Sequence, residues 1–158
     1  MKRNSFLFPL FAAVLSAMFM PSCRQETLTV SRLRCEYLTD PIAVESNEPL
    51  LSWQLYSSLR NRGQTAYQIL AASSPSLLSE NKADLWDSKT VSSAQSIQVK
   101  YKGKSLTSRQ TVYWKVRVWD ENNKPTQWSQ PATWSMGLLQ PSDWKAQWIG
   151  AMTDPAPE

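Results

Sequence analysis

From Leu28 to Met136 apolar and polar residues alternate in short runs, and turn residues interrupt them about every dozen positions. A period of two puts alternate side chains on opposite faces of a strand, so each run buries one face and wets the other. The longest run, Thr111 to Asp120, sets Val112, Trp114, Val116 and Val118 on one face. Leu51, Trp53 and Leu55 share a face, as do Tyr67, Ile69 and Ala71. Ile97-Gln98-Val99-Lys100-Tyr101 alternates likewise. An opening strand over Leu33-Arg34-Cys35-Glu36-Tyr37 is expected to bury Leu33 and Cys35, and a closing strand over 132–136 to bury Trp134 and Met136. Many short strands at this spacing predict two packed sheets rather than a helical or α/β domain.

The breaks have their own chemistry. Asp40-Pro41 and Glu48-Pro49 bracket a long first connection, since proline starts a strand but does not sit centrally in one. Asn61-Arg62-Gly63 closes the second strand, and Asn122-Asn123-Lys124-Pro125 is the sharpest hairpin signal. Ser74-Pro75 predicts a single helical turn over 76–81, with serine as the cap and proline at the first helical position. After Gly137 the pattern changes, and 144–150 reads as the start of a further element.

With 42% hydrophobic residues, 19% charged residues and eight tryptophans, the chain has the makings of a core, which argues against disorder. Histidine is absent, which removes Ser-His-Asp and Cys-His nucleophilic sites and histidine-based zinc sites. Gly63, Gly103, Gly137 and Gly150 stand too far apart for a phosphate-cradling loop or a dinucleotide fingerprint. The formal charge is +4; without Lys2 and Arg3 it is +2, too weak and dispersed for a nucleic-acid surface. Lys100, Lys102 and Lys104 read as a solvated strand end.

The first residues read as a secretory leader. Lys2 and Arg3 precede an apolar run, Phe6 to Met20, interrupted by Pro9 and Ser16 and shorter than the ~20 residues a helical span needs. Met20-Pro21-Ser22-Cys23 resembles the bacterial lipobox, whose cysteine is lipidated and becomes the mature N-terminus. The resemblance implies residues 1–22 as a lipoprotein-type signal peptide and Cys23 as the lipid attachment site. Arg24 in place of aspartate favours the outer membrane. Ordinary cleavage nearby, leaving Cys23 a plain thiol, is the alternative. Cys35 then reads as a small buried apolar residue.

An all-β, two-sheet immunoglobulin-like or fibronectin-III sandwich of about seven strands accounts for residues 23–139, and 140–158 then reads as a linker or the truncated start of a following domain. The runs Tyr113 to Asp120 and Trp128-Ser129 resemble the sixth and seventh strands of fibronectin-III domains. By parity Trp114, not Tyr113, takes the inward slot of their corner tyrosine. Several segments resemble, in order, the N-terminal module of bacterial α-L-rhamnosidases: 34–41, 51–53, 66–70 and Asp84-Leu85-Trp86-Asp87-Ser88, then 113–120, 134–137 and 144–150. In that family the catalytic acids lie in a downstream (α/α)₆ barrel, and nothing matching their motif lies within these 158 residues. The resemblance therefore implies no catalytic residue, no cofactor and no metal here.

The expected function is a non-catalytic accessory module of an exported α-L-rhamnosidase-like glycoside hydrolase. Its partners would be the enzyme's downstream domains and, through the lipid, a membrane. Rhamnose-containing glycans would be reached only through the catalytic domain. A stand-alone surface lipoprotein binding carbohydrate or a protein is the alternative. Trp144 and Trp148 are candidate interdomain contacts. Tyr113, Lys115, Arg117 and Trp119, with Trp128, are expected to stack on the outward face of the long strand, as structure rather than as a sugar platform. Asp84 and Asp87 read as turn residues. Asp120, Glu121 and Asn122 fall short of the roughly six oxygens a calcium site takes.

Overall fold

Two long strands carry the architecture of the computed structural model, which describes residues 28–147. Strand β3 (Ala66–Ala72) pairs antiparallel with β7 (Thr111–Trp119) along its whole length, from Ala66↔Trp119 to Ala72↔Tyr113. On the inner face of β7, Val112, Trp114, Val116 and Val118 are fully buried, as the period-two pattern requires. Strand β8 (Ala132–Ser135) extends this sheet beyond β7, while β4 (Trp86–Asp87) and β5 (Val91–Ser92) both pair with the other edge of β3. Two two-residue strands share that edge because Lys89, with φ 54°, turns the chain between them.

The second sheet has three strands in the order β1-β2-β6: β1 (Thr29–Cys35), β2 (Leu50–Tyr56) and β6 (Val99–Lys100). Leu33 and Cys35 from β1, Leu51 and Trp53 from β2, and Val99 from β6 meet the inner face of the larger sheet in one continuous core. The two antiparallel sheets, of three and five strands among the described residues, form the immunoglobulin-like sandwich that the expectation of about seven strands describes. The turn after Ser74 is a short helix, α1 (Pro75–Ser79), capped as its sequence predicts by Ser74 Oγ accepting from the Leu77 N–H.

The opening strand runs over 29–35 rather than 33–37. Glu36 and Tyr37 take left-handed backbone angles (φ 48° and 63°), and Glu36 turns its carboxylate back to accept the Leu50 N–H at 2.8 Å. The chain then crosses to the other sheet and lies beside β8. Ser135 N donates to Pro41 O, Val44 N to Ser135 O, and Gly137 N to Val44 O. This covers an otherwise open edge, a common protection against strand addition. Ile97 also departs from the alternation. Gln98 is left-handed (φ 57°) and gives its N–H to Ser52 Oγ, so β6 begins only at Val99 and Ile97 stays 61% exposed.

Candidate functional site

The outward face of β7 gathers its cations and aromatics as the alternation predicts. Lys115 Nζ lies 5.1 Å from the Trp128 ring centre. The Arg117 guanidinium sits between Trp128 (4.6 Å) and Trp119 (5.0 Å). Arg117 also donates from Nε and Nη2 to Gln68 Oε1 on β3, and Gln68 Nε2 donates to Asp87 Oδ1 on β4. The stack therefore cross-links three strands. Burial, and then the neighbouring Arg117 charge, lower the Lys115 pKa from its ordinary value. Each such contact contributes about 0.5–1 kcal/mol where exposed and ~2 where dry. Because cations cover the Trp119 and Trp128 rings, this face has the geometry of a brace.

The acidic residues are engaged in turns. Asp84 accepts from Ser73 N (2.8 Å) and Ser73 Oγ (2.6 Å). Asp120 closes the hairpin after β7, accepting the N–H groups of Asn122 and Lys124, both at 2.9 Å, while Arg62 pairs with it at 3.1 Å. Burial pushes the Asp84 and Asp87 carboxyls up, but hydrogen bonds, from Ser73 and from Lys89 and Gln68 respectively, outweigh it. The Lys124 N–H does most to hold Asp120 low, and the Ser108 hydroxyl does the same for Asp143. Among the described residues no three acidic, histidine or cysteine side chains come together as a metal site.

Cys35 is buried in the core. Burial, and secondarily the Glu36 charge, push its thiol up to about 12, the environment of an inert thiol rather than a nucleophile. Trp114 points into the core and is fully buried, and its Nε1 is buried without a hydrogen-bond partner among the described residues. Its ring instead meets Trp134 edge-on at 6.3 Å. Trp144 follows a short 3₁₀ turn (Pro141–Asp143) and is 53% exposed. Cys23 and Trp148 lie outside the described residues.

One feature escaped sequence reasoning: a cleft of about 430 Å³ between the free edges of the two sheets, where β4 and β5 face β6. Its walls come from segments 35 residues apart, from Tyr67 to Lys102, and no local pattern announces that they meet.

Two antiparallel sheets over one core, with a braced outward face on β7, define an immunoglobulin-like β-sandwich domain. Residues 30–140 match the family described as "Rha78A-like, N-terminal immunoglobulin domain", and the chain belongs to that family. An α-L-rhamnosidase of Formosa agariphila is 41% identical over 98% of the chain, and one of Streptomyces avermitilis is 41% identical over 82% of it. The crystal structure of the Streptomyces avermitilis α-L-rhamnosidase complexed with L-rhamnose superposes with a TM-score of 0.75 at 40% identity, over 79% of this chain and 12% of that one. The α-L-rhamnosidase from "Dictyoglumus thermophilum" gives a TM-score of 0.73 at 36% identity, over 77% of this chain and 14% of that one. The chain spans only 16% of the length of the Formosa relative and 12% of the Streptomyces one.

Proposed function

We propose that this chain is the non-catalytic N-terminal accessory module of an exported α-L-rhamnosidase-like glycoside hydrolase. Lipid on Cys23 holds it at the outer membrane, and Trp144 and Trp148 meet the domain that follows. The observation that carries the reading is the family match over 30–140, in a chain that spans a small fraction of its α-L-rhamnosidase relatives. The state of four carboxylates supports it. Glycoside hydrolysis needs a general acid whose pKa is raised, whereas Asp84, Asp87, Asp120 and Asp143 are all held low by structural hydrogen bonds. Purified chain incubated with an aryl α-L-rhamnoside is expected to give no turnover above buffer. Turnover that follows the protein through successive columns overturns the reading.

A further inference from the structure

The inter-sheet cleft is built like a binding site. Its floor is aromatic and aliphatic: Tyr67, Trp86, Val91 and Val99. The two rings are fixed from behind, Tyr67 edge-on to Trp53 at 5.2 Å and Trp86 edge-on to Tyr101 at 5.2 Å. Trp86 is only partly buried, and it lines the cleft. The volume of about 430 Å³ lies in the range of small-molecule sites, and a rigid aromatic floor with a few polar groups is their usual composition.

The polar groups are preset. Gln95 spends both hydrogens of its side-chain amide on the carbonyls of Ile97 (2.9 Å) and Gln98 (3.1 Å), which leaves Oε1 as an oriented acceptor. Tyr67 is buried as a residue, its hydroxyl makes no hydrogen bond among the described residues, and that oxygen is not sealed from solvent. A phenol oxygen that reaches solvent at the edge of a cleft can donate to whatever occupies it. Burial raises the Tyr67 pKa, so the phenol keeps its proton and remains a donor. Lys102 at the rim has no ion-pair or hydrogen-bond partner among the described residues, and Lys100 is held only loosely, 3.5 Å from Glu48. No carboxylate lines the cleft.

We propose that this cleft binds an acidic sugar residue of a glycan, a hexuronate. The apolar C–H face of the pyranose lies on Trp86, its hydroxyls meet Tyr67 Oη and Gln95 Oε1, and its carboxylate meets Lys102. A neutral hydrophobe would leave the preset donor and acceptor unmatched. An inorganic anion would leave the aromatic floor uncovered. The proposal rests on the cleft's own side chains and stands or falls apart from the accessory-module reading.

The test is an NMR titration of the ¹⁵N-labelled chain with sodium D-galacturonate and sodium D-glucuronate, with D-glucose and sodium acetate as controls. At least one uronate is expected to shift the Trp86 indole N–H and the backbone amides of Tyr67, Gln95 and Lys102 saturably, with a midpoint on the order of millimolar. Lys102→Gln and Tyr67→Phe should each weaken that midpoint about fivefold or more, with amides outside the cleft unmoved. The proposal is overturned if neither uronate gives saturable shifts by about 50 mM, a level that already corresponds to negligible affinity. Saturable shifts that map to another face, or equal midpoints for glucose or acetate, overturn it as well.

Discussion

The indole Nε1 of Trp53 donates a 2.9 Å hydrogen bond to Oε1 of Gln64, and both side chains are buried. Gln64 in turn gives its amide hydrogens to the carbonyls of Ser93 (3.2 Å) and Gln95 (2.7 Å). One glutamine thus ties the core tryptophan of β2 to the loop between β5 and β6, which carries Gln95 to the cleft. Trp53→Ala is expected to cost about 3–5 kcal/mol, the usual loss for a buried large aromatic. Gln64→Ala should cost about 1–3 kcal/mol, since it leaves a buried indole N–H unpaired. Arg60→Ala, on an exposed loop, should cost less than about 0.5 kcal/mol. Denaturant melts giving equal losses for all three would contradict this placement of the core.

Alkaline pH should destabilise the fold through two buried acids. The Cys35 thiol is raised from 9.0 to about 12, and the Tyr101 phenol from 10.0 to about 12, each chiefly by burial. Both folded pKa values lie above the unfolded ones. The protonated forms therefore contribute stability that is whole below about pH 9 and is lost as pH rises toward 12. Melting temperatures should fall across that window, and Cys35→Ala should flatten part of the fall. In a Cys23→Ser background the folded chain should resist alkylation at pH 8 and react once unfolded. Rapid labelling of the native protein would show that Cys35 is accessible.

Lipid on Cys23 predicts two observations in a bacterial host. The chain should partition into detergent and incorporate labelled fatty acid; Cys23→Ser should abolish both, and Cys35→Ser neither. A single acyl chain anchors marginally, so stable attachment implies more than one. Membrane association that survives Cys23→Ser would make the run from Phe6 to Met20 the anchor and end the lipoprotein reading.

The elements legible in the sequence were those set by local periodicity or local capping. The inner face of β7, the Ser74 cap, the hairpin closed by Asp120 and the Lys115–Arg117–Trp128 stack all follow from spacings within about a dozen residues. What escaped depends on contacts distant in sequence. Alternation cannot show that Val44 will lie beside Ser135, or that Glu36 will turn back to Leu50. The left-handed angles at Gln98 and Glu36 fall on residues with no turn signature of their own, so Ile97 and Tyr37 read as strand residues and lie exposed. The cleft escaped for the same reason, because it arises where two sheet edges fail to meet.

Native-state amide hydrogen exchange tests most directly the claim that these residues form a self-supporting two-sheet module. The slowest amides should be the buried ones of β3 and β7, notably Ile69, which donates to Ser88 Oγ, Val116, which donates to Ser129 Oγ, and Val118, which donates to Thr126 Oγ1, with the inner residues of β2 close behind. Their opening free energies should match the global stability from denaturant melts. A chain whose β3 and β7 amides exchange as fast as its loops would not be folding as a module by itself, and the account would fail.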